Sequence, residues 1–362
     1  MMRDSEVAEL LQAVSRLGLT VVRDPAEPVV SKAPTFDEFI PQMLEAESGA
    51  QREAYGACWR VLREVWGSRP LDEPTPTEIL QLMNRYKAGA VVRSNWRGGN
   101  AAARNFLHGV RRLYRLAEMD SLIAPAMNPA AKVPMPRKLE STRHALTPQQ
   151  VSELGRVAAE TGNDGELDAL IVRLHIETAC RRQAALRLRV DDLSVDDCTV
   201  LLHHKGGVDT WHPISPLLML RLLEHVDRRG AGAPGHQVLR TRGGKPITDR
   251  RYDNLHGRFH KHLAWAEAKG VTVHWLRHTT LTFVERTYGE AVARRYAAHR
   301  DPGTTATPIY TKASLTECAE ALVAVTGQPH PLAPGMGRIG FMEGEGGAAA
   351  GSIFERHDTE PV

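Results

Sequence analysis

The chain has 362 residues, 42% of them apolar and 25% charged; that is enough for two domains with cores of their own, and no apolar run approaches the ~20 residues a membrane-crossing helix needs. The formal net charge of +3 hides an asymmetry: residues 91–312 hold 34 basic and 22 acidic side chains, a balance of +12, and the remainder holds 12 against 21, or −9. Four cysteines (Cys58, Cys180, Cys198, Cys318) form no CxxC pair, which argues against a disulfide scaffold. With no apolar signal core at the N-terminus, the expected location is cytoplasmic.

Residues 1–34 read as an N-terminal extension ending in a stretch with Pro25, Pro28 and Pro34. Residues 35–120 read as a helical domain. Thr35 and Asp37 begin a first helix and residues 50–66 form a second. Thr75, Pro76, Thr77 and Glu78 make a capping box with proline at the first helical position. A helix over 100–118 places Phe106, Val110, Leu113 and Leu116 on one face and leaves Arg104, Arg111, Arg112 and Arg115 for another. Periodicity alone allows a helical protein-interaction module with a basic face. Residues 121–145 carry Pro125, Pro129, Pro134 and Pro136 among Lys132, Arg137 and Lys138, the composition of a basic extended linker. It fits a path along phosphates or one through solvent.

Thr147, Pro148 and Gln150 form a further capping box that opens a second domain over 146–326. A helix over 165–180 turns Leu167, Leu170, Ile171 and Leu174 inward and delivers Arg181 at its end. Thr199–His203 and Val208–Pro213 read as two strands around a Lys-Gly-Gly turn that contains Lys205. Residues 236–251, with Arg240, Arg242, Lys245, Arg250 and Arg251, read as a basic loop and helix start. Leu315 to Val325 reads as a closing helix whose Leu315, Ala319, Leu322 and Val323 face either their own domain or a neighbouring protomer. Residues 327–362, rich in glycine, proline and acidic side chains, read as a disordered tail.

The ordered set Arg181, Lys205, His274-Trp275-Leu276-Arg277-His278, His299 and Tyr310 suits a tyrosine attacking a phosphodiester. Charge grows on the non-bridging oxygens as a fifth oxygen approaches phosphorus, so forked guanidinium donors are wanted; Arg181 and Arg277 supply them. A phenol is a weak nucleophile near neutral pH, and His274 is the candidate base for Tyr310. Lys205 is placed to protonate the departing 5′ oxygen, and His299 adds a donor. The chemistry calls for no metal, ATP or organic cofactor. Singly, each residue has a plainer reading: Arg181 with Arg182, Arg187 and Arg189 on a solvated face, His274 and His278 as packed histidines or half a zinc site, Tyr310 as a packed ring.

Together these boxes resemble the tyrosine recombinases, the phage-integrase family. Thr178-Ala179-Cys180-Arg181 with Leu186, Leu188 and Asp192 is similar to the family's first-arginine box, His274 to His278 to its His-x-Leu-Arg-His box, and His299 and Tyr310 to its closing pair. The chain departs from the pattern at Ala179, at Ala184 where an acidic residue is usual, and at Ala297-Ala298 before His299. The resemblance implies a mainly α fold with a small β-hairpin or sheet in an α+β catalytic domain, and a two-domain DNA clamp with the helical module as core-binding domain. It implies site-specific recombination or integration through a 3′-phosphotyrosine, on duplex DNA carrying a specific site, by a dimer or tetramer, with an accessory DNA-bending protein as a further partner. DNA contacts are expected at Arg104, Arg111, Arg112, Arg115, Lys132, Arg137, Lys138, Arg242, Lys245, Arg250 and Arg251. Two other readings remain: relaxation of DNA in the manner of a type IB topoisomerase, and a decayed recombinase that binds DNA without cutting it.

Overall fold

The computed structural model describes residues 33–91, 98–140, 143–204, 207–230, 232–298 and 313–333. The chain divides after Glu140 into two compact units.

The first unit contains α1 (Phe36–Ala46), α2 (Gly49–Trp66), α3 (Pro76–Ala88) and α4 (Asn100–Met119). Reciprocal capping boxes start two of them: Thr35 with Glu38 on α1, Thr75 with Glu78 on α3. α4 packs against α2 and α3 and buries Phe106, Leu107, Val110, Leu113 and Tyr114 among Phe36, Trp59, Leu62 and Ile79. The helices come close at Gly109, where a Cβ would meet Cys58 Sγ at 2.9 Å; Trp59 Nε1 donates to the Gly109 carbonyl at 3.0 Å.

The segment expected as an extended linker is partly built into this unit. Two 3-10 turns, Pro125–Met127 and Pro129–Lys132, lead into Val133, and Ala130 and Val133 join the helical core. Asn128 shapes the second turn by accepting from the Ala130 and Ala131 amides. Arg111 donates to the carbonyls of Ala130 and Val133, and Arg104 to that of Pro136. Guanidinium groups on α4 thus satisfy carbonyls that an irregular segment leaves unpaired.

The second unit contains α5 (Pro148–Glu160), α6 (Gly165–Thr178), α7 (Arg182–Arg187), a sheet of β1 (Leu193–Ser194), β2 (Thr199–His204) and β3 (Val208–Pro213), then α8 (Pro216–Arg228), α9 (Asp249–His262), α10 (Ala264–Lys269), α11 (Val273–Tyr296) and α12 (Leu315–Thr326). The sheet is antiparallel in the order β1-β2-β3, with Thr199 opposite Pro213 and His204 opposite Val208. The two-residue β1 extends the expected hairpin. The fold is therefore mainly α with one small sheet.

α6 runs through the centre, against α5 and α11, and is buried on nearly every side. Its polar groups are matched internally: Glu177 accepts from Arg173 Nε at 2.7 Å, from the Ser215 hydroxyl at 2.8 Å and from the Ser215 amide at 2.7 Å, tying α6 to the start of α8. α11 is broken at Gly289, whose φ of 83° lies where glycine is favoured. α12 starts on a Ser314–Glu317 capping box and packs on α11 and β3, burying Cys318, Ala319, Ala321, Leu322 and Val325. Ala319, Leu322 and Val323, three of the four apolar positions named for it, are buried within its own unit. Residues 328–333, assigned from sequence to a disordered tail, are packed: His330 is buried and its Nε2 donates to the Cys198 carbonyl at 3.1 Å, while Ala333 lies against Ala319 and Val323. The rest of that segment lies outside the described residues. Among the described residues, no helix is long and apolar enough to cross a membrane.

Candidate active site

Arg181 is delivered by a turn that the second unit holds firmly. α6 ends two residues earlier than its apolar pattern suggests, because Ala179 takes the left-handed conformation with φ 48° and ψ 25°. Thr178 Oγ1 donates to the Leu174 carbonyl at 2.6 Å and accepts from the Cys180 amide at 3.2 Å. Buried His175 donates from Nδ1 to the Cys180 carbonyl at 3.1 Å, and its Nε2 accepts from the Tyr252 hydroxyl at 3.0 Å. Burial pushes the His175 pKa down to about 4, so the ring is neutral at pH 7. Arg181 then caps α7 with its side chain exposed, and no ion pair to it exists among the described residues. Its neighbour Arg182 is bound instead, to Asp249 at 2.7 Å.

Arg277 is the opposite case. It is 4% exposed, and its fork joins two distant stretches of backbone: Nη1 donates to the Ala179 carbonyl and Nη2 to the Ala297 carbonyl at 2.8 Å. One end of the bracket is thus the turn before Arg181; the other is the end of α11, two residues before His299. Burial, with the charge of Arg181 adding to it, lowers the Arg277 pKa to about 10, which leaves it cationic at neutral pH. Because Arg181 acts on Arg277, the two cations lie near one another, and among the described residues neither forms an ion pair.

α11 supplies the rest from its first two turns. Trp275 and Leu276 are buried, while His274 reaches the surface. Desolvation by the surrounding protein, followed by the charges of Arg143, Arg277, His278 and Arg181, brings His274 down to about 4. It is a neutral imidazole in a cationic setting. His278 Nδ1 lies 3.2 Å from Thr282 Oγ1. Thr280 Oγ1 donates to the Ile176 carbonyl at 2.8 Å and the Leu146 amide donates to Thr279 Oγ1 at 2.9 Å, which fixes the helix against α6 and the start of the unit.

Structure thus brings Arg181, His274 and Arg277 into one site. Lys205, His299 and Tyr310 lie outside the described residues. The other tyrosines of the second unit are engaged: Tyr296 is buried and donates to the Glu177 carbonyl, Tyr288 donates to the Glu320 carbonyl at 3.1 Å, and Tyr252 bonds His175. Among the described residues, no group of three or more His, Cys, Asp or Glu is placed to hold a metal ion. His175 escaped the sequence reading, and Thr178 entered it only as part of the first-arginine box. Their signal, a polar pair ending an apolar helix just before an arginine, looks like ordinary helix-end chemistry.

The candidate DNA-contact residues divide by what already holds them. Arg115, Lys132, Arg137 and Lys138 in the first unit, and Lys245 and Arg250 in the second, are exposed; Arg242 is exposed too but lies 3.7 Å from the buried carboxylate of Asp164. Arg112 is bound to the buried carboxylate of Glu47 at 2.5 Å. Arg104 and Arg111 donate to backbone carbonyls, as described above. Arg251 bonds Asp168 at 2.5 Å, where Arg258 also binds, and reaches Asn163 at 2.7 Å. These last four give the protein much of their donor capacity.

Residues 144–317 match the model of the phage integrase family. No curated protein matches the chain. Among solved structures, the chain is similar to a lambda integrase dimer bound to a COC′ core site (18% identity, TM-score 0.57, covering 86% of this chain and 88% of that one). It is also similar to the Tn1549 transposon integrase in complex with circular intermediate DNA (14% identity, TM-score 0.58, 78% and 96% covered). A third likeness is to the XerH site-specific recombinase bound to a palindromic difH substrate (12% identity, TM-score 0.55, 79% and 80% covered).

Proposed function

We propose, from the premise that residues 144–317 are a phage integrase family domain, the domain of the tyrosine recombinases, that this chain is a site-specific recombinase that cuts and rejoins duplex DNA through a 3′-phosphotyrosine. The observation that carries the reading is the Arg277 bracket. One buried guanidinium ties the turn that presents Arg181 to Ala297 at the end of α11, so the residue that presents one clamp arginine is fixed by the other. Among the described residues, two hydrogen bonds leave three of the five Arg277 donors without a partner and Arg181 has no ion pair, so both can fork onto the scissile phosphate.

In this mechanism the Tyr310 oxygen attacks phosphorus and its proton passes to His274. A neutral imidazole can accept that proton, and the phosphate dianion character that develops favours its doing so. Arg181, Arg277 and His299 hold the non-bridging oxygens. The bond to the 5′ oxygen breaks, and that oxygen takes a proton from Lys205. The 3′-phosphotyrosine conserves the bond, so an incoming 5′ hydroxyl reverses the step and frees the enzyme without ATP. The matched structures are integrases and recombinases on DNA, one a dimer on a core site and another a tetramer on a Holliday junction. Duplex DNA with a specific site, and further copies of this chain, are the partners we assign. The +12 balance over residues 91–312 supports that assignment, with the helical unit over 35–120 as a second grip on DNA. A cytoplasmic setting suits such a substrate.

The test is a plasmid assay with two copies of a site selected by binding from a randomised duplex pool. Excised and recombined circles should form only when both sites are present. Rapid relaxation of a supercoiled plasmid without sites would favour the topoisomerase reading, and binding without any strand breakage would favour the decayed one. The second has a structural basis in Ala184, which is buried in α7 and offers no carboxylate beside Arg181.

A further inference from the structure

Two buried histidine nitrogens near the clamp, His204 Nδ1 and His212 Nε2, have no partner among the described residues, and His204 is the one on which Arg181 acts. His204 is 5% exposed, and its Nδ1 makes no hydrogen bond in the structure. A lone buried acceptor of this kind costs free energy unless something fills it in the working state.

Its orientation follows from the hairpin. His204 is the last paired residue of β2, opposite Val208, so Thr210 lies diagonally across on the same face. His204 Nε2 lies 2.8 Å from Thr210 Oγ1; in the tautomer that donates there, Nδ1 keeps a bare lone pair. Arg181 and Arg277 lie near enough to act on the ring, and a lone pair suits such neighbours better than an N–H does. Helix α7 packs against β2, and Arg181 is the residue that caps α7. After burial, the charges acting most on the ring are those of Arg181 and then Arg277; together they press its pKa to about 4, so the imidazole stays neutral. A neutral acceptor therefore sits at the base of an exposed arginine for which no ion pair exists among the described residues, on a helix where Ala184 supplies no carboxylate.

We infer that His204 is a positioning residue for the clamp: its Nδ1 lone pair accepts a hydrogen bond from the Arg181 guanidinium when DNA draws that side chain onto the phosphate, fixing the plane of the fork. The inference rests on the reading of Arg181 as a phosphate ligand. A neutral partner steadies the fork without cancelling its charge, so the clamp keeps its full cationic pull, which a carboxylate partner would halve.

The experiment is a double-mutant cycle on covalent-adduct formation with a nicked duplex bearing the selected site. His204→Leu should lower the cleavage rate roughly tenfold to a hundredfold, the range for a lost hydrogen bond to a charged group, with DNA affinity within about twofold of wild type. His204→Asn, which returns an acceptor near the Nδ1 position, should recover most of that loss. In an Arg181→Ala background, His204→Leu should cost nothing further. Wild-type cleavage in His204→Leu, or losses that multiply in the double variant as a purely structural defect would give, overturns the inference. Melting temperatures of each variant identify a folding defect. Imidazole ¹⁵N spectra give an answer that does not depend on cleavage: in the Tyr310→Phe protein, adding the duplex should shift the His204 Nδ1 resonance, and the shift should vanish with Arg181→Ala. A shift that persists there, or none at all, counts against His204. Absence of adduct in the wild type with the shift present would fault the recombinase reading alone.

Discussion

Arg181 and Arg277 are assigned to one phosphate clamp, yet the structure gives their removal very different consequences for stability. Arg277→Ala withdraws the donors from the Ala179 and Ala297 carbonyls, which sit in the core, at about 1–3 kcal/mol for each group left unpaired. Part of that is returned because the buried guanidinium was itself costly, as its pKa of about 10 records. A net loss of about 2–4 kcal/mol remains; at roughly 2–4 °C per kcal/mol for a unit of this size, the Tm should fall by about 5–15 °C. Arg181→Ala removes an exposed side chain with no ion pair among the described residues, so stability should change by less than about 0.5 kcal/mol. Both should lose about 10²–10³ in cleavage rate, the usual cost of one preorganised donor at a developing charge. Thermal melts paired with single-turnover cleavage of a nicked duplex separate the two effects. Equal melting temperatures for the two variants would refute the bracket. Wild-type cleavage by the folded fraction of either would remove that arginine from the clamp.

Acidity should destabilise the second unit in a defined window. Burial holds His175 at about 4 and His212 at about 3, against an unfolded value near 6.5; the native state binds fewer protons, so stability is full above pH 6.5 and falls as pH drops toward those values. The pair should cost on the order of 4 kcal/mol by pH 5 in denaturant titrations, and His212→Leu should remove one proton from the slope; identical stability at pH 7 and pH 5 would contradict this. DNA affinity should fall with salt at a log-log slope of about −0.9 per phosphate contacted, and a flat response would remove the electrostatic grip. Truncation after Ala313 should lower the Tm and abolish DNA binding together, because α12 fills the core beside α11 and β3. Loss of recombination alone, at an unchanged Tm, would mean that the helix serves a neighbouring protomer.

Local chemistry made the helices legible. The start at Thr35 and the boxes at Thr75 and Thr147 each set a helix start that the structure reproduces, since a cap satisfies its amides within four residues and needs no tertiary context. Strands β2 and β3 were legible for a similar reason: alternation and a glycine turn are near-neighbour signals. Legibility ended where a side chain acts across sequence distance. Arg111 reads as one more cation on a basic face, but it serves the carbonyls of Ala130 and Val133, as an irregular turn required. His330 reads as tail, yet it is buried on the Cys198 carbonyl. In the site, residue types announced Arg181, His274 and Arg277, while the bracket role of Arg277 depends on a left-handed Ala179 that no propensity favours.

The central claim is a transient covalent bond between Tyr310 and DNA. A duplex carrying the selected site and a nick just beyond the scissile phosphate releases its short 5′-hydroxyl fragment on attack, so the adduct cannot reseal and accumulates. Peptide mapping should locate the 3′-phosphate on Tyr310, and Tyr310→Phe should bind the same duplex without forming any adduct. Neither Tyr288 nor Tyr296 is a ready substitute, because both hydroxyls are committed to backbone carbonyls. An undiminished adduct in Tyr310→Phe, or none in the wild type on a site it demonstrably binds, would contradict the account.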